Sequence, residues 1–243
     1  MDQRADINGR VAVVTGGSRG IGLAVAEAFV GAGASVLITG RDRVQLEAAS
    51  RRLGAARTGA GVIAVQADVR QPAEAARAVD SAADRFGGLD VLVNNAGVGR
   101  FGDVADMTVD DWQDVIATNL SGVFYCSRAA IPHMRSRGGG WIINISSLAS
   151  TNPSKGSAAY CASKAGLNAF TDALMQEVRY DNIRVSAVLP GSVSTGFAFR
   201  GSGGEADWKI APEHIAGVVL GLITFPSRSL PSRVDVRPAR PGR

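Results

Sequence analysis

A doubly wound α/β domain, with a parallel sheet and helices on both of its faces, is the fold class that this chain predicts, and three observations predict it. Short runs rich in Val and Ile alternate with longer helical segments along the whole sequence, those runs are apolar on both faces, and a glycine-rich turn joins the first run to the first helix. Strands that are apolar on both sides and separated by helices form a parallel sheet covered on each face, and right-handed crossovers then wind it doubly. At 243 residues and 46% hydrophobic content the chain can bury a full core, and no linker divides it, so a single domain over residues 1–243 is expected.

Strands are expected near 10–15, 35–39, 62–66, 90–94, 140–146, 183–189 and 233–236, with helices near 20–32, 42–53, 73–86, 108–137, 158–179 and 212–224. In such a sheet ligands bind beyond the carboxyl ends of the strands, so the residues that follow each strand carry the functional information.

The first strand runs into Thr15-Gly16-Gly17-Ser18-Arg19-Gly20-Ile21-Gly22 and then directly into a helix. Glycines let a backbone approach a pyrophosphate closely, and the free N–H groups of a helix start favour negative charge. The spacing is G-x-x-x-G-x-G, and its place between strand and helix points to a dinucleotide. The second strand ends in Gly40-Arg41-Asp42, where an adenosine ribose would be read. An arginine there pairs with a 2′-phosphate and a carboxylate with a free 2′-hydroxyl, so Arg41, helped by Arg19, favours NADP (NADPH) over NAD. Asp42 dissents unless it serves instead as an N-cap or first-turn acid of the next helix. After the third strand, Asp68 and Val69 are candidates to meet the adenine ring.

The fourth strand delivers Asn94-Asn95-Ala96-Gly97, a turn of small and polar residues along which a cofactor could pass. Asn119 lies inside a long apolar helix, where a buried amide needs partners. The fifth strand brings Ser146 and Ser147 to the sheet edge. Tyr160 and Lys164 follow, four residues apart, hence one above the other on a helix face that continues through Leu167, Phe170, Leu174 and Val178. An ammonium beside a phenol is expected to stabilise the phenolate and lower its pKa. The sixth strand leads into Pro190-Gly191-Ser192-Val193-Ser194-Thr195.

Other classes find less support. No apolar run approaches the ~20 residues of a membrane span, and Met1-Asp2-Gln3-Arg4 precedes a strand without a signal-peptide core, so a cytoplasmic protein without a membrane partner is expected. Cys126 and Cys161 are too few and too far apart for a disulfide framework or a metal cluster, and no metal is expected. The formal charge of +4 comes mostly from arginines. Lysine occurs only at Lys155, Lys164 and Lys209, which makes Lys164 more noticeable. Basic residues are scattered apart from Arg228, Arg233, Arg237, Arg240 and Arg243 near the end, and without a motif they read as solvated charge rather than a nucleic-acid surface.

With the glycine turn, Asn94-Asn95-Ala96-Gly97, Asn119, Ser147, Tyr160, Lys164 and Pro190-Gly191 in this order, the chain resembles the classical short-chain dehydrogenase/reductase family over about residues 7–225. The resemblance implies a Rossmann-like domain with a seven-stranded parallel sheet, a homodimer or homotetramer, a nicotinamide cofactor and a small carbonyl substrate. It implies that Tyr160 is the general acid for a carbonyl oxygen and that Lys164 lowers the tyrosine pKa and holds the nicotinamide ribose. Ser147 would bind the substrate oxygen, Ser146 would be its structural neighbour, and Asn119 would hold a water linking Lys164 to solvent. Gly16, Ser18, Arg19, Gly20, Ile21, Gly22, Arg41, Asp68, Val69, Asn95, Ala96 and Gly97 would line the cofactor. So would Tyr160, Lys164, Pro190, Gly191, Val193 near the carboxamide and Thr195 near the diphosphate.

The stretch about 192–211, with Phe197, Phe199, Trp208 and the run Gly201-Ser202-Gly203-Gly204, corresponds to a substrate lid, with Val98 to Phe101, Leu148 and Ser150 to Ser157 completing the pocket. The chain departs from members that reduce acyl-carrier-protein thioesters by having Tyr180-Asp181 after the Tyr/Lys helix and a Val234-Asp235-Val236-Arg237-Pro238 ending, within a strand and basic tail at about 232–243. A 3-oxoacyl-[acyl-carrier-protein] reductase therefore stands as an alternative, with Arg135 and Arg137 as its docking surface. A non-catalytic dinucleotide-sensing regulator is the alternative from another class, and would be expected to lose Tyr160 or Lys164.

Overall fold

The computed structural model describes residues 7–56, 61–197 and 207–240. Its centre is one parallel sheet of β1 (Val11–Thr15), β2 (Ser35–Gly40), β3 (Val62–Gln66), β4 (Val91–Asn94), β5 (Gly140–Ile145), β6 (Ile183–Pro190) and β7 (Arg233–Val236). The seven strands lie in the order β3-β2-β1-β4-β5-β6-β7. Between them run α1 (Gly20–Gly31), α2 (Arg43–Ala56), α3 (Pro72–Phe86), α4 (Val109–Ile116), α5 (Gly122–Ser136), α6 (Ala158–Val178) and α7 (Pro212–Ile223).

Alternation along the strands builds two cores. Ala12, Val14, Ile38, Val93 and Ile143 pack with Val25, Phe29, Leu46, Ile215 and Val219 of α1, α2 and α7. Val11, Val13, Leu37, Leu92 and Ile142 pack with Val79, Ala130, Met134 and Leu174 of α3, α5 and α6. The inner strands β1 and β4 are buried at every position, whereas the edge strands β3 and β7 alternate with exposed residues.

Local chemistry sets the helix ends. Asp42 Oδ1 accepts from the Gln45 N–H at 3.0 Å and caps α2, and Thr108 accepts from the Asp111 N–H at 3.1 Å and caps α4. Pro72 opens α3, and Gly87 closes it at a left-handed φ of 82°.

The single helix expected near 108–137 is in fact α4 and α5 separated by a π-helical turn, Ala117–Ser121. Its wider ladder shows in the Gly122 N–H, which bonds to the Ala117 carbonyl. Gly122 itself packs on Val69, where an added Cβ would stand 2.9 Å from Val69 Cγ2. The inserted residue carries Asn119 inward, which a regular 3.6-residue period does not anticipate.

Among the described residues no helix is long and apolar enough to cross a membrane. Cys126 and Cys161 are both buried and free, and burial pushes the Cys126 thiol up to about 12.

Candidate active site

The strand order reverses between β1 and β4, and the loops that leave these two strands diverge from a shared crevice. Thr15, the last residue of β1, binds the loop after β4: its Oγ1 accepts from the N–H groups of Asn95 and Ala96, both at 3.0 Å. Asn95 answers through its Nδ2, which donates to the carbonyls of Thr15 at 2.9 Å and Gly16 at 3.1 Å. The Asn95 side chain is therefore a brace for the glycine turn.

That turn is a cradle that leaves no space for a side chain at Gly16, Gly17 and Gly22. Gly16 and Gly20 have φ of 63° and 54°, and a Cβ on Gly22 would stand 2.3 Å from the Gly16 carbonyl oxygen and 2.4 Å from Asn95 Nδ2. The N-cap of α1 is Arg19, whose side chain makes no capping bond, and the first turn of the helix holds no acid. Uncapped N–H groups at the end of a helix dipole, approached through glycines, fit a diphosphate. Ser18 and Arg19 lie on the turn, with Arg19 exposed, while Ile21 packs partly into the core. The loop after β6 returns to the same place: a Cβ on Gly20 would come within 3.2 Å of Thr195 Cγ2. Thr195 is held by its N–H on the Val193 carbonyl at 2.9 Å. Val193 also bridges to Ile210, and Gly191 is pinned by its N–H on Val236 at 2.8 Å.

On the adenosine side, Arg41 is exposed at the end of β2 and borders a recess of about 370 Å³ with Gln66, Ala67, Asp68, Glu74 and Arg77. Asp42 Oδ1 serves as the α2 cap, while among the described residues the Arg41 guanidinium makes no ion pair and stays exposed. Asp68 accepts from Arg70 through both oxygens. Burial works to raise the Asp68 pKa, but the hydrogen bonds from Arg70 and the charges of Arg70 and Arg41 bring it below 3.8. Val69 differs from its neighbour, since its side chain belongs to the core and packs against Gly122.

The candidate catalytic groups converge at the carboxyl end of β5 and the start of α6. Ser147 is extended, and its Oγ accepts from the Ala149 N–H at 3.1 Å. It also interacts with the Tyr160 phenol. Tyr160 has its pKa raised above 10.0 by burial, with the Ser147 interaction pulling the other way. The lowering expected from Lys164 is thus not what the structure has. Lys164 Nζ lies 5.9 Å from the centroid of the tyrosine ring and donates to the Ile145 carbonyl at 2.8 Å, so desolvation of the phenol prevails. Lys164 is 5% exposed, and burial lowers its pKa to about 8.

Behind these groups, Asn119 is fully buried and its amide is engaged. Its Oδ1 accepts from the Val98 N–H at 2.8 Å, and its Nδ2 donates to the Val98 carbonyl at 2.9 Å and to Ser163 Oγ at 3.0 Å. Its side chain thus locks the loop after β4 onto α6. Gly97 sits in that lock, where a Cβ would be 3.3 Å from Asn119 Oδ1 and 3.8 Å from Lys164 Nζ. Ser146 donates to Asn168 Oδ1 at 2.6 Å and is a structural neighbour of Ser147, as its resemblance implied.

Several supporting residues escape a reading by motif. Asn94 donates to Asn144 at 2.9 Å and to Ser127 at 3.2 Å, and Asn144 donates to Thr171 at 2.8 Å, forming a buried polar seam between β4, β5 and the helices beneath. Ser163, Thr15 and this seam carry no signal except polar residues at inward positions of apolar elements. Phe197 and Trp208 of the expected lid are described, whereas Phe199 and Gly201 to Gly204 lie outside the described residues. A second recess, about 280 Å³, opens at the opposite end of the sheet around Asp90, which is clasped by Arg10 at 3.0 Å and Arg137 at 3.1 Å. Arg135 pairs in turn with Asp181. Among the described residues no cluster of three or more His, Cys, Asp or Glu could hold a metal ion.

Comparison with known proteins agrees with this geometry. The short chain dehydrogenase family matches residues 10–201. An oxidoreductase of Staphylococcus haemolyticus is 32% identical over 233 residues, covering 96% of this chain and 99% of that protein. A metagenomic short-chain oxidoreductase in complex with NADP is 40% identical, with a TM-score of 0.84 over 97% of this chain and 99% of its own. L-Sorbose reductase from Gluconobacter frateurii, complexed with NADPH and L-sorbose, is 32% identical, with a TM-score of 0.89 over 97% and 98% of the two chains. This chain, with its seven-stranded Rossmann-like sheet, belongs to the classical short-chain dehydrogenase/reductase family of oxidoreductases.

Proposed function

We propose that this protein is an NADP(H)-dependent oxidoreductase that transfers hydride between the nicotinamide and a carbonyl or secondary alcohol, with reduction of a ketone as its working direction. The observation that carries the reading is the convergence of Ser147, Tyr160 and buried Lys164 at the sheet edge beside the glycine cradle. The names of the neighbours bound to NADP or NADPH support the cofactor, and that of L-sorbose reductase supports a ketone.

When bound, the nicotinamide cofactor supplies the hydride. Ser147 and Tyr160, whose side chains interact, present two hydroxyls that can hold one carbonyl oxygen between them. Tyr160 is protonated at neutral pH, as a phenol ordinarily is, and burial shifts its pKa further up; a protonated phenol is the form that gives a proton to that oxygen as it gains negative charge. Lys164 bonds Ile145 through one of three donors, and the others serve ribose hydroxyls and the proton relay. Asn119 acts by position: its amide holds Val98 and Ser163, and any water it held would be bound through its backbone. Arg41 would pair with the 2′-phosphate and the N–H groups at the start of α1 with the diphosphate.

Against the carrier-protein alternative, Arg135 and Arg137 are paired with Asp181 and Asp90 rather than offered as a docking surface. Retention of Tyr160, Lys164 and Ser147 favours an enzyme over a silent sensor. We further infer a homo-oligomer, supported by Trp112 and Phe124, which leave 43% and 44% of their area exposed on α4 and α5. Light scattering on the purified protein tests the assembly. Oxidation of NADPH over a panel of ketones, quinones, aldehydes, L-sorbose and β-ketoacyl thioesters tests the activity. A panel with no turnover, alongside tight NADPH binding, would favour the sensor instead.

A further inference from the structure

Tyr160 is in contact with two phenyl rings from different loops. Phe101, after β4, has its centroid 5.8 Å from that of Tyr160 at an interplanar angle of 56°. Phe197, after β6, stands at 5.8 Å and 48°. Both rings also converge on Gly99, where a Cβ would lie 2.6 Å from Phe101 Cε2 and 3.2 Å from Phe197 Cε1. Glycine at 99 is what lets the two rings close around the phenol.

The wall that carries Phe101 is fixed from both sides. The Gly102 N–H donates to the Gly156 carbonyl at 2.9 Å, and Lys155 reaches Asp103 at 3.6 Å, joining the loops after β4 and β5. Arg100, the residue before Phe101, is gripped by Asp111 at 3.1 Å and Asp114 at 2.8 Å. Asp114 also binds Arg70, so the wall is continuous with the ion pairs of the adenosine side. These contacts occupy the cations of the two loops, Arg100 and Lys155, with carboxylates.

Resting on the ketone-reducing reading above, we propose that Phe101 and Phe197 form an aryl slot beside the reacting hydroxyls and select flat, uncharged aromatic ketones over saturated ketones of the same size. A substrate whose oxygen reaches Tyr160 and Ser147 lays its body against the rings that pack on the phenol. Tilted ring pairs with centroids 4.5–7 Å apart gain energy beyond the area they bury, through the edge and face charges of the ring. A cyclohexyl group has neither the flatness nor those charges.

Phenylacetone and cyclohexylacetone separate this effect from carbonyl reactivity, because a methylene insulates the ketone from the ring in both. With NADPH, the wild type is expected to favour phenylacetone by roughly tenfold in kcat/KM, and Phe101→Leu and Phe197→Leu each to bring the ratio toward one. A wild-type ratio near one, or a ratio unchanged in both variants, overturns the slot. If a Leu variant fails to fold, Phe101→Tyr and Phe197→Tyr keep the ring and must keep the preference; its loss in both overturns the proposal. If neither ketone oxidises NADPH, the functional reading fails separately, and saturation-transfer NMR of the two ketones on the wild-type protein decides the slot. Selective saturation of phenylacetone that falls in Phe101→Leu sustains it, and equal saturation of both ketones overturns it.

Discussion

Lys164 Nζ donates to the carbonyl oxygen of Ile145 at 2.8 Å, joining the amino-terminal half of α6 to the last residue of β5. The lysine is 5% exposed, and burial lowers its pKa from 10.5 to about 8. The unfolded chain therefore binds this proton more tightly than the folded one. By linkage, stability rises with pH between about 8 and 10.5, and the penalty for the buried ammonium is full below that window. Replacing Lys164 with Met is expected to abolish turnover yet raise Tm at pH 7 by roughly 2–8 °C, allowing for the lost hydrogen bond. The gain should vanish above pH 10.5. Thermal melts at both pH values check it, and a lower Tm at pH 7 would contradict a destabilising buried charge.

Tyr160→Phe removes only the hydroxyl, while the ring stays in place between Phe101 and Phe197. A fall in kcat of about 10²–10⁴ is expected, with NADPH affinity close to that of the wild type. For the wild type, kcat/KM for reduction should decline as pH rises through about 8, where Lys164 loses its charge. It should fall again only above 10.0, because burial keeps the phenol protonated beyond its ordinary value. Steady-state kinetics across pH, paired with fluorescence titration of NADPH, report both results.

Arg41→Asp replaces a cation with a carboxylate at the end of β2 while leaving the Asp42 cap intact. Loss of a charge-assisted contact to a 2′-phosphate should raise the KM for NADPH by roughly 10- to 100-fold and affect NADH far less. Equal losses for the two cofactors would remove Arg41 from phosphate recognition.

Gly22→Ala places a methyl 2.3 Å from the Gly16 carbonyl oxygen and 2.4 Å from Asn95 Nδ2. Backbone must move to admit it, at a cost of about 1–3 kcal/mol in urea unfolding. Because the displaced groups form the cradle and its brace, NADPH binding should weaken as well. Gly31→Ala, on the same helix with nothing within 4 Å of its Cβ, is the control and should leave both unchanged.

Much of this molecule is visible in its one-dimensional pattern. Val and Ile runs separated by helices determine a parallel sheet, because strands apolar on both sides must be covered on both sides. Thr15 to Gly22, Asn95 to Gly97, Ser147, Tyr160 and Lys164 are recognisable since each follows a strand or opens a helix, and the fold sends those positions to one edge. The balance of forces between them is set only in three dimensions. Proximity in sequence suggested that Lys164 lowers the Tyr160 pKa, yet burial raises it, because desolvation depends on how the folded chain packs around the phenol. Asn119 stands out in the sequence as a buried amide in need of partners, but only the fold, with its π turn, shows that those partners are Val98 and Ser163. Asp42 and Arg41 compete for the ribose on paper, and only the structure shows that Asp42 Oδ1 caps α2 through the Gln45 N–H. Periodicity records which face a residue occupies. Partners, burial and charge at that face come from segments far away in the chain, and these were decided by packing.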